Sequence, residues 1–526
     1  MFDIQNTQQI ATILDGKIVF QNDNFDFSKN DDFAVITDTR KLNDETLQHK
    51  NILFVVLKGE NFDAHDFLPE IIKNQNQNQN QNIYAILIDN ANKFNNLNLQ
   101  KAENSLSVIL VNDTRLALGN LAKHWRNNFD NSQLQIFGIT GSNGKTTTKE
   151  MLGKILRQHF GEQNVLATVG NLNNDIGLPL TLLNLRKHHQ AAVIEMGMNH
   201  PGEIEYLAEI AKPNFSAITT IQRAHLQGMQ NLQIIAREKG AIYKFTQNVA
   251  VINLNFLQSS PEFVDLWENI CQENPQKISI NYFDFDFDNK NQTNQTNQTN
   301  QTKAKINFQN LVENNQNCLL IKNQNANQNE KIILQVLGNH NAYNAATATA
   351  LALAAGIDLA TIKTALQDFQ AVKGRLQIKK AAYPITLWDD TYNANPDSVK
   401  AAIDVLANFD GKKILILGDM GEIGENSENL HKEVGIYARQ KNIDYLLCLG
   451  ESTQFTATAF DEFLPKPKNP ALYFANGKIN KLTDYLKMLL TMLLQAVVGD
   501  KIAVLVKGSR FMKMERIVEE LVNTRK

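Results

Sequence analysis

The segment Gly141–Thr147 (GSNGKTT) constrains this chain more than any other stretch of its 526 residues, because it lies directly between the strand-like run QIFGIT and a helical run. Glycines let backbone N–H groups wrap phosphate oxygens, a lysine neutralises the β- and γ-phosphate charge, and a threonine hydroxyl ligates Mg²⁺. The strict pattern would place a glycine at Ile139, whereas the earlier glycine here is Gly138. ATP or GTP binding by Gly141, Ser142, Asn143, Gly144, Lys145, Thr146 and Thr147 follows from this loop. The reaction does not.

Elsewhere, short β-branched runs alternate with helical stretches. Ile136–Thr140 precedes Thr147–His159, Ala191–Glu195 precedes Gly202–Ile210, and Lys413–Leu417, Tyr445–Leu449 and Ile502–Val506 follow near the end. Such alternation predicts an α/β fold of parallel sheets covered on both faces. At roughly 150 residues per domain, the length suggests about three domains. Ile52–Leu57 and Ile83–Ile88 read as strands with no phosphate loop after them, so a separate small α/β domain is expected over 1–113. A helix from Thr114, with Leu116, Leu118, Leu121, Ala122 and Trp125 as its apolar face, leads into a central domain ending at 374. A third domain is expected over 375–526.

With 52 basic and 55 acidic side chains, a net charge of −3 gives no global pull toward nucleic acid or anionic membrane. Three separated cysteines fit a reducing compartment and argue against a zinc ribbon. The N-terminus lacks the basic-then-apolar order of a signal peptide, and the most apolar stretch, Met488–Val498, is too short to span a bilayer. A cytoplasmic location is expected. Three polar tracts, Asn74–Asn82, the NQT repeat Asn291–Thr302 and Asn323–Asn329, carry no apolar periodicity and read as solvated surface insertions.

Several further residues have chemical meaning. Glu195 ends a buried apolar strand, at the sheet edge where ligands gather; read alone, it suits a metal-binding acid or a helix cap. His225, in RAHL, follows the apolar run Ser216–Ile221, where an isolated histidine is more often structural. Lys239 sits in a helical stretch, where a solvated lysine is the ordinary case, and Asn173 lies in a polar loop that could be a simple turn. Gly338–Asn344 (GNHNAYN) opens the alanine-rich helix Ala345–Ala355; its packed amides could cap that helix or read a base edge, and spacing alone favours capping. A strand Ile385–Trp388 runs into the loop DDTYNANPDSV. Together with GDMGEIG (Gly418–Gly424) and VKGSR (Val506–Arg510), it suggests three strand-end loops forming one binding edge.

Together these motifs resemble the Mur ligase family of ATP-dependent amide ligases, over nearly the whole chain outside the polar tracts. The likeness is carried by TGSNGKTT, NLNNDIGLPLTLL, EMGMNHPGEIEYL, AHL, Lys239-Gly240, GNHNAYNA, Gly374-Arg375, DDTYNANPDSV, LGDMGEIG and VKGSR, with TDTR and LKGENFDAHDF in the first segment. DDTYNANP and GDMGE point to the members that join D-alanyl-D-alanine to UDP-N-acetylmuramoyl-tripeptide. The resemblance implies an N-terminal substrate domain, a central P-loop ATPase domain and a C-terminal Rossmann-like domain. It implies two substrates as partners, a monomer, no nucleic acid and no membrane span.

By the same resemblance, Lys145 and its loop bind the β- and γ-phosphates, and Thr146 with Glu195 holds one Mg²⁺. His225 helps hold a second, together with a carbamate on Lys239. His340 and Asn341 lie near the adenine, and Arg375 and Asp390 near the ribose and phosphates. Thr39, Arg40, Lys58 and Asn173 belong to the UDP-sugar side, and Asn393, Asn395, Lys507 and Ser509 to the acceptor side. Thr220, Gln222 and Ala241 depart from the family pattern without removing a phosphate, metal or carbamate position. A folylpolyglutamate synthase or a sister Mur ligase is disfavoured by the first segment and GDMGEIG. A GTPase switch would need an N-K-x-D that is not found, and intact metal and lysine positions oppose a non-catalytic scaffold.

Overall fold

The computed structural model describes residues 6–21, 33–47, 50–60, 62–77, 82–95, 106–223, 231–254, 261–273, 279–286, 306–313, 316–323, 328–496 and 501–523. The chain packs as two compact units, Met1–Gly138, Phe160–Gly197 and Glu203–Asn214 forming one, and Ile139–His159, Met198–Gly202 and Phe215–Lys526 the other.

In the first unit, β1 (Lys17–Phe20), β2 (Phe33–Ile36), β3 (Asn51–Val55), β4 (Asn82–Ile88) and β5 (Ser107–Leu110) form a sheet in the order β1-β5-β4-β3-β2. Its pairs are parallel except at β1–β5. All five residues of β3 are buried, as a central strand covered on both faces requires. β3 stops at Val55, short of the expected Leu57. There the chain turns back on itself, Leu57 O accepting the Ala64 N–H at 3.1 Å and Phe62 O the Gly59 N–H at 2.9 Å.

The helix Thr114–Asn127 is capped by the Asp113 carboxylate, which accepts from the N–H groups of Arg115 and Leu116. It buries Leu118, Leu121, Ala122 and Trp125, spaced i, i+3, i+4 and i+7. Leu116 is not on that face. It is 55% exposed, because a position two residues before Leu118 falls on the opposite side of the helix. β6 (Gln135–Thr140) carries the chain from one unit to the other, and β7 (Val165–Ala167) pairs in parallel with β8 (Ala191–Glu195) in the first.

In the second unit, β9 (Phe215–Ile218), β10 (Val249–Asn253), β11 (Ser279–Asp286) and β12 (Ile306–Glu313) run parallel. β13 (Gln316–Asn323) and β14 (Gln328–Leu334) extend the sheet as antiparallel neighbours. The apolar run Ser216–Ile221 is strand only as far as Ile218, since the backbone beyond it bonds to the phosphate loop, Thr220 O accepting the Ser142 N–H. The helix Asn339–Ala354 is buried on every side from Asn341 to Ala352, which its small side chains permit.

The last sheet combines β15 (Gln377–Lys379), β16 (Thr386–Asp390), β17 (Lys412–Gly418), β18 (Tyr445–Leu449), β19 (Leu472–Phe474) and β20 (Ile502–Lys507). Its order is β15-β16-β20-β17-β18-β19, with β15 the antiparallel edge. Alternate strand residues feed opposite cores. Leu415, Leu417, Ala503 and Leu505 meet Val399, Ile403, Leu430, Val434 and Phe460 on one face. Ile414, Ile416, Val504 and Val506 meet Leu482, Leu486, Ile517 and Leu521 on the other. Each large aliphatic side chain so buried contributes about 1.5–3 kcal/mol.

Of the polar tracts, residues 74–77 end the helix Leu68–Gln77, and Asn323 pairs with Gln328 at a hairpin. The NQT repeat and residues 78–81 and 324–327 lie outside the described residues. The apolar stretch at 488 belongs to an amphipathic helix, Ile479–Ala496, with Leu489 and Leu490 buried and Met488 and Met492 exposed. Among the described residues, no helix is long and apolar enough to cross a membrane. All three thiols are free and buried.

Candidate active site

The phosphate loop leaves the buried end of β6 through Gly141 and Gly144, both with positive φ (+150° and +83°). A Cβ at Gly141 would collide with the Thr219 hydroxyl, and one at Gly144 with the Asn344 amide, so neither position tolerates a side chain. Lys145 opens the helix Lys145–Phe160 two residues earlier than expected, and its ammonium donates to Gly141 O at 2.8 Å and Ser142 O at 3.2 Å. Thr146 and Thr147, in the first helical turn, are buried. The Thr146 hydroxyl accepts from Arg375 Nη2 at 3.3 Å, and the guanidinium of Arg375 lies over the Tyr392 ring at 4.2 Å.

Lys239, on the helix Leu232–Lys244, is only 1% exposed. Burial and the like charge of Lys145 hold its pKa well below the usual lysine value. His225 lies outside the described residues.

The expected capping of the alanine-rich helix by its own amides does not occur. Its N-cap is Gly338 at φ +86°, without a side-chain cap, because a glycine has no oxygen to offer. Instead, Asn341 Nδ2 donates to Leu337 O in the approach to the helix, and Asn317 Nδ2, from β13, donates to Val336 O and Gly338 O. Burial pushes the imidazole of His340 down to about 4, leaving it neutral near pH 7.

The three strand-end loops do converge, since β16, β20 and β17 are consecutive in the sheet. Lys507 Nζ binds Asp390 Oδ2 at 2.7 Å and Asn393 O at 2.9 Å, and Asp390 Oδ1 accepts the Leu376 N–H. The buried Ser509 hydroxyl donates to Ala394 O and accepts the Gly421 N–H, while Ser509 N–H donates to Asp419 O. The Asp419 carboxylate in turn receives the N–H groups of Glu451, Ser452 and Thr453. Asn393 is exposed. Asn395 caps the helix Pro396–Ala407 in a capping box with Ser398.

A cavity of about 680 Å³ is lined by Asn143, Gly144, Thr147, His340, Asn341, Arg375, Trp388, Asp390 and Lys507. Phosphate-loop, adenine-side and acceptor-side candidates therefore share one chamber of the second unit. In the first unit, the buried Glu195 accepts from Asn173 Nδ2 at 2.7 Å, so these two candidates are direct neighbours. Thr39 and Arg40 begin the short turn Thr39–Asn43, where the exposed Arg40 is held bidentately by Asp38. Lys58 is exposed beside a backbone bridge to Asp63. Sequence reasoning missed the pairing of Asn143 with Asn395 and the grip of Arg223 on Asp397 and Glu433. Separations of 174 to 252 residues leave no local signal for either.

A profile of the Mur ligase middle domain matches residues 139–352, from the phosphate loop through most of the alanine-rich helix. The Mur ligase glutamate ligase domain matches residues 374–510, ending just past Ser509. The chain is 36% identical over 98% of its length to the UDP-N-acetylmuramoyl-tripeptide–D-alanyl-D-alanine ligase of Haemophilus influenzae, itself covered to 98%. The chain belongs to the Mur ligase family. The Escherichia coli ligase of the same description is 32% identical, over 98% of this chain and 97% of that one. The crystal structure of MurF from Acinetobacter baumannii superimposes with a TM-score of 0.78 at 30% identity, covering 99% of each chain. The three-domain α/β architecture of Mur ligases is thus the fold of this chain.

Proposed function

We infer that this chain is the ATP-dependent ligase that adds D-alanyl-D-alanine to UDP-N-acetylmuramoyl-tripeptide, making the pentapeptide precursor of peptidoglycan. The observation that carries this reading is the whole-length likeness to ligases of that description. The shared chamber of phosphate loop and acceptor edge supports it.

A carboxylate does not condense with an amine in water unless it is first activated. The γ-phosphoryl group of ATP passes to the terminal carboxylate of the tripeptide, giving an acyl phosphate and ADP. The dipeptide amine then attacks the carbonyl carbon, the bond to the phosphate oxygen breaks, and phosphate leaves while the amine gives up its proton. The protein's contribution is positioning and charge neutralisation. Lys145 neutralises the β- and γ-phosphates, with Arg375 beside Thr146 adding a second cation. Gly141, Ser142, Asn143, Gly144 and Thr147 line the phosphates, His340 and Asn341 the adenine side, and Asp390 the ribose side. Asn393, Asn395, Lys507 and Ser509 form the acceptor side, Asn395 and Ser509 by shaping the loop. Thr39, Arg40, Lys58 and Asn173 receive the UDP-sugar. We place the domain boundaries at 113 and 374, and the enzyme in the cytoplasm as a monomer.

Thr146 and Glu195 are oxygen donors suited to a hard cation, and Mg²⁺ bound there would neutralise phosphate charge. His225 and Lys239 are proposed for a second ion. An uncharged amine is the form that captures CO₂, the lowered pKa of the buried Lys239 favours that form, and a carbamate would give it the negative charge that metal binding needs. If so, activity lost on thorough CO₂ removal returns with bicarbonate, and ¹³C-bicarbonate labels Lys239.

The deciding experiment follows phosphate release from ATP with UDP-N-acetylmuramoyl-tripeptide, with and without D-alanyl-D-alanine. Release dependent on both substrates is expected, and comparing tripeptides ending in lysine or diaminopimelate then fixes specificity. Release indifferent to the dipeptide would overturn this reading in favour of a sister ligase.

A further inference from the structure

One side-chain network beside the phosphate loop is built around Arg223, a residue with no part in the chemistry just described. After β9 the segment Thr220–Arg223 runs along that loop. Ser142 N–H donates to Thr220 O at 2.7 Å, Gln222 N–H to Ser142 Oγ at 3.0 Å, and Asn143 Nδ2 to Gln222 Oε1 at 2.6 Å. Its other end is held by acids of the C-terminal sheet's helices. Arg223 N–H and Nη2 donate to Asp397 at 3.0 and 2.6 Å, and Nη1 and Nη2 to Glu433 at 2.9 and 3.0 Å. Lys400 also closes on Glu433. Asp397 lies in the first turn of the helix Pro396–Ala407, whose cap Asn395 exchanges amide hydrogen bonds with Asn143 at 2.8 and 3.2 Å. The circuit is closed, from phosphate loop to Gln222, Arg223, Asp397, Asn395 and back to the phosphate loop.

We propose that Arg223 is a positioning residue, which holds the acceptor loop 393–397 in fixed register with the phosphate loop through Asp397 and Glu433. This rests on the ligase reading. The two half-reactions occur at one carboxyl group: phosphoryl transfer to its oxygen needs the phosphate loop, and attack on its carbon needs an amine delivered from the acceptor loop. Fixed spacing between the loops is what makes the second attack effectively unimolecular, and an error near 1 Å costs on the order of 100-fold. Arginine suits the task, because its planar fork grips two carboxylates at once where lysine offers a point charge. Gln222 supplies the link from this segment to Asn143.

The test compares wild type with Arg223→Ala, Arg223→Lys and Asp397→Asn. Acyl-phosphate formation is read alone, as positional isotope exchange in ATP with the UDP-tripeptide and no dipeptide. The full reaction is read as kcat/KM for D-alanyl-D-alanine. Expected are exchange within about twofold of wild type in Arg223→Ala, a loss of about tenfold or more in kcat/KM for the dipeptide, and partial recovery in Arg223→Lys. Asp397→Asn should reproduce the dipeptide defect, with the double variant no worse than the worse single one. Equal loss in both half-reactions, or no loss in either, overturns the proposal. If Arg223→Ala fails to fold, Arg223→Lys and Asp397→Asn must still show the selective defect. Wild type without dipeptide-dependent turnover would instead bring down the ligase reading, and this inference with it.

Discussion

At the scale of single residues, the site works by controlling where charge is permitted. Lys145 stands at the mouth of a helix, with its ammonium on the loop carbonyls of Gly141 and Ser142, where we propose that it meets the phosphates of ATP. Replacing it with alanine should abolish phosphate release while leaving the melting curve unchanged; substantial residual turnover would contradict its role. His431 shows the opposite use of a titratable group. Its Nδ1 lies 2.8 Å from Ser427 O and must donate there, so Nε2 carries the lone pair that accepts the Met420 N–H at 3.2 Å. Burial lowers its pKa accordingly. Because the unfolded chain takes up this proton first, near pH 6.5, stability should fall as pH drops below that value. Urea midpoints from pH 7 to 5 should decline less steeply in His431→Gln than in wild type. Since Met420 belongs to the GDMGE loop, this loosening would reach the acceptor edge.

At the scale of elements, the alanine-rich helix is a spacer whose thinness is its function. Thr347, Ala348 and Ala350 are almost wholly buried, and the helix packs against five neighbouring strands. Ala348→Leu adds volume where nothing can yield and should cost about 1–3 kcal/mol, measured by urea unfolding. The helix Pro396–Ala407 is the contrasting case, since its start is fixed by side chains. Asn395 accepts the Ser398 N–H while the Ser398 hydroxyl accepts the Asn395 N–H. Asn395→Ala should therefore lose about 1 kcal/mol of capping. Its additional loss of the contact with Asn143 should lower turnover further than Ser398→Ala does, in a steady-state assay of both variants.

At the scale of the whole molecule, the polar insertions test how much of the chain serves the fold. The NQT repeat lies in the connection from Asp286 to Ile306, between neighbouring parallel strands in which Phe283 pairs with Ile306. Such a connection must bring the chain back along the strand direction, which needs length but no particular side chains. Deleting two of its NQT triplets should leave turnover unaltered and stability within about 1 kcal/mol, because closure entropy varies slowly with length. A large loss of stability would mean that the repeat packs on the fold.

The sequence by itself determined everything that depends on neighbours in the chain. The phosphate loop, the doubly covered strands β8, β18 and β20, the helix from Thr114 and the three strand-end loops all follow from local spacing and composition. Local reading misplaced several boundaries and one face: β3 stops short of Leu57, the helix after the phosphate loop starts at Lys145 rather than Thr147, Leu116 lies off the apolar face, and the alanine-rich helix is not capped by its own amides. Tertiary structure alone decided that Asp390 and Lys507 spend their charges on each other, that Asn395 faces Asn143, and that Arg223 joins Asp397 to Glu433. Those contacts bring together residues more than a hundred positions apart. Which side chains meet is set by strand order and by how helices pack on a sheet, and a local pattern carries no record of either.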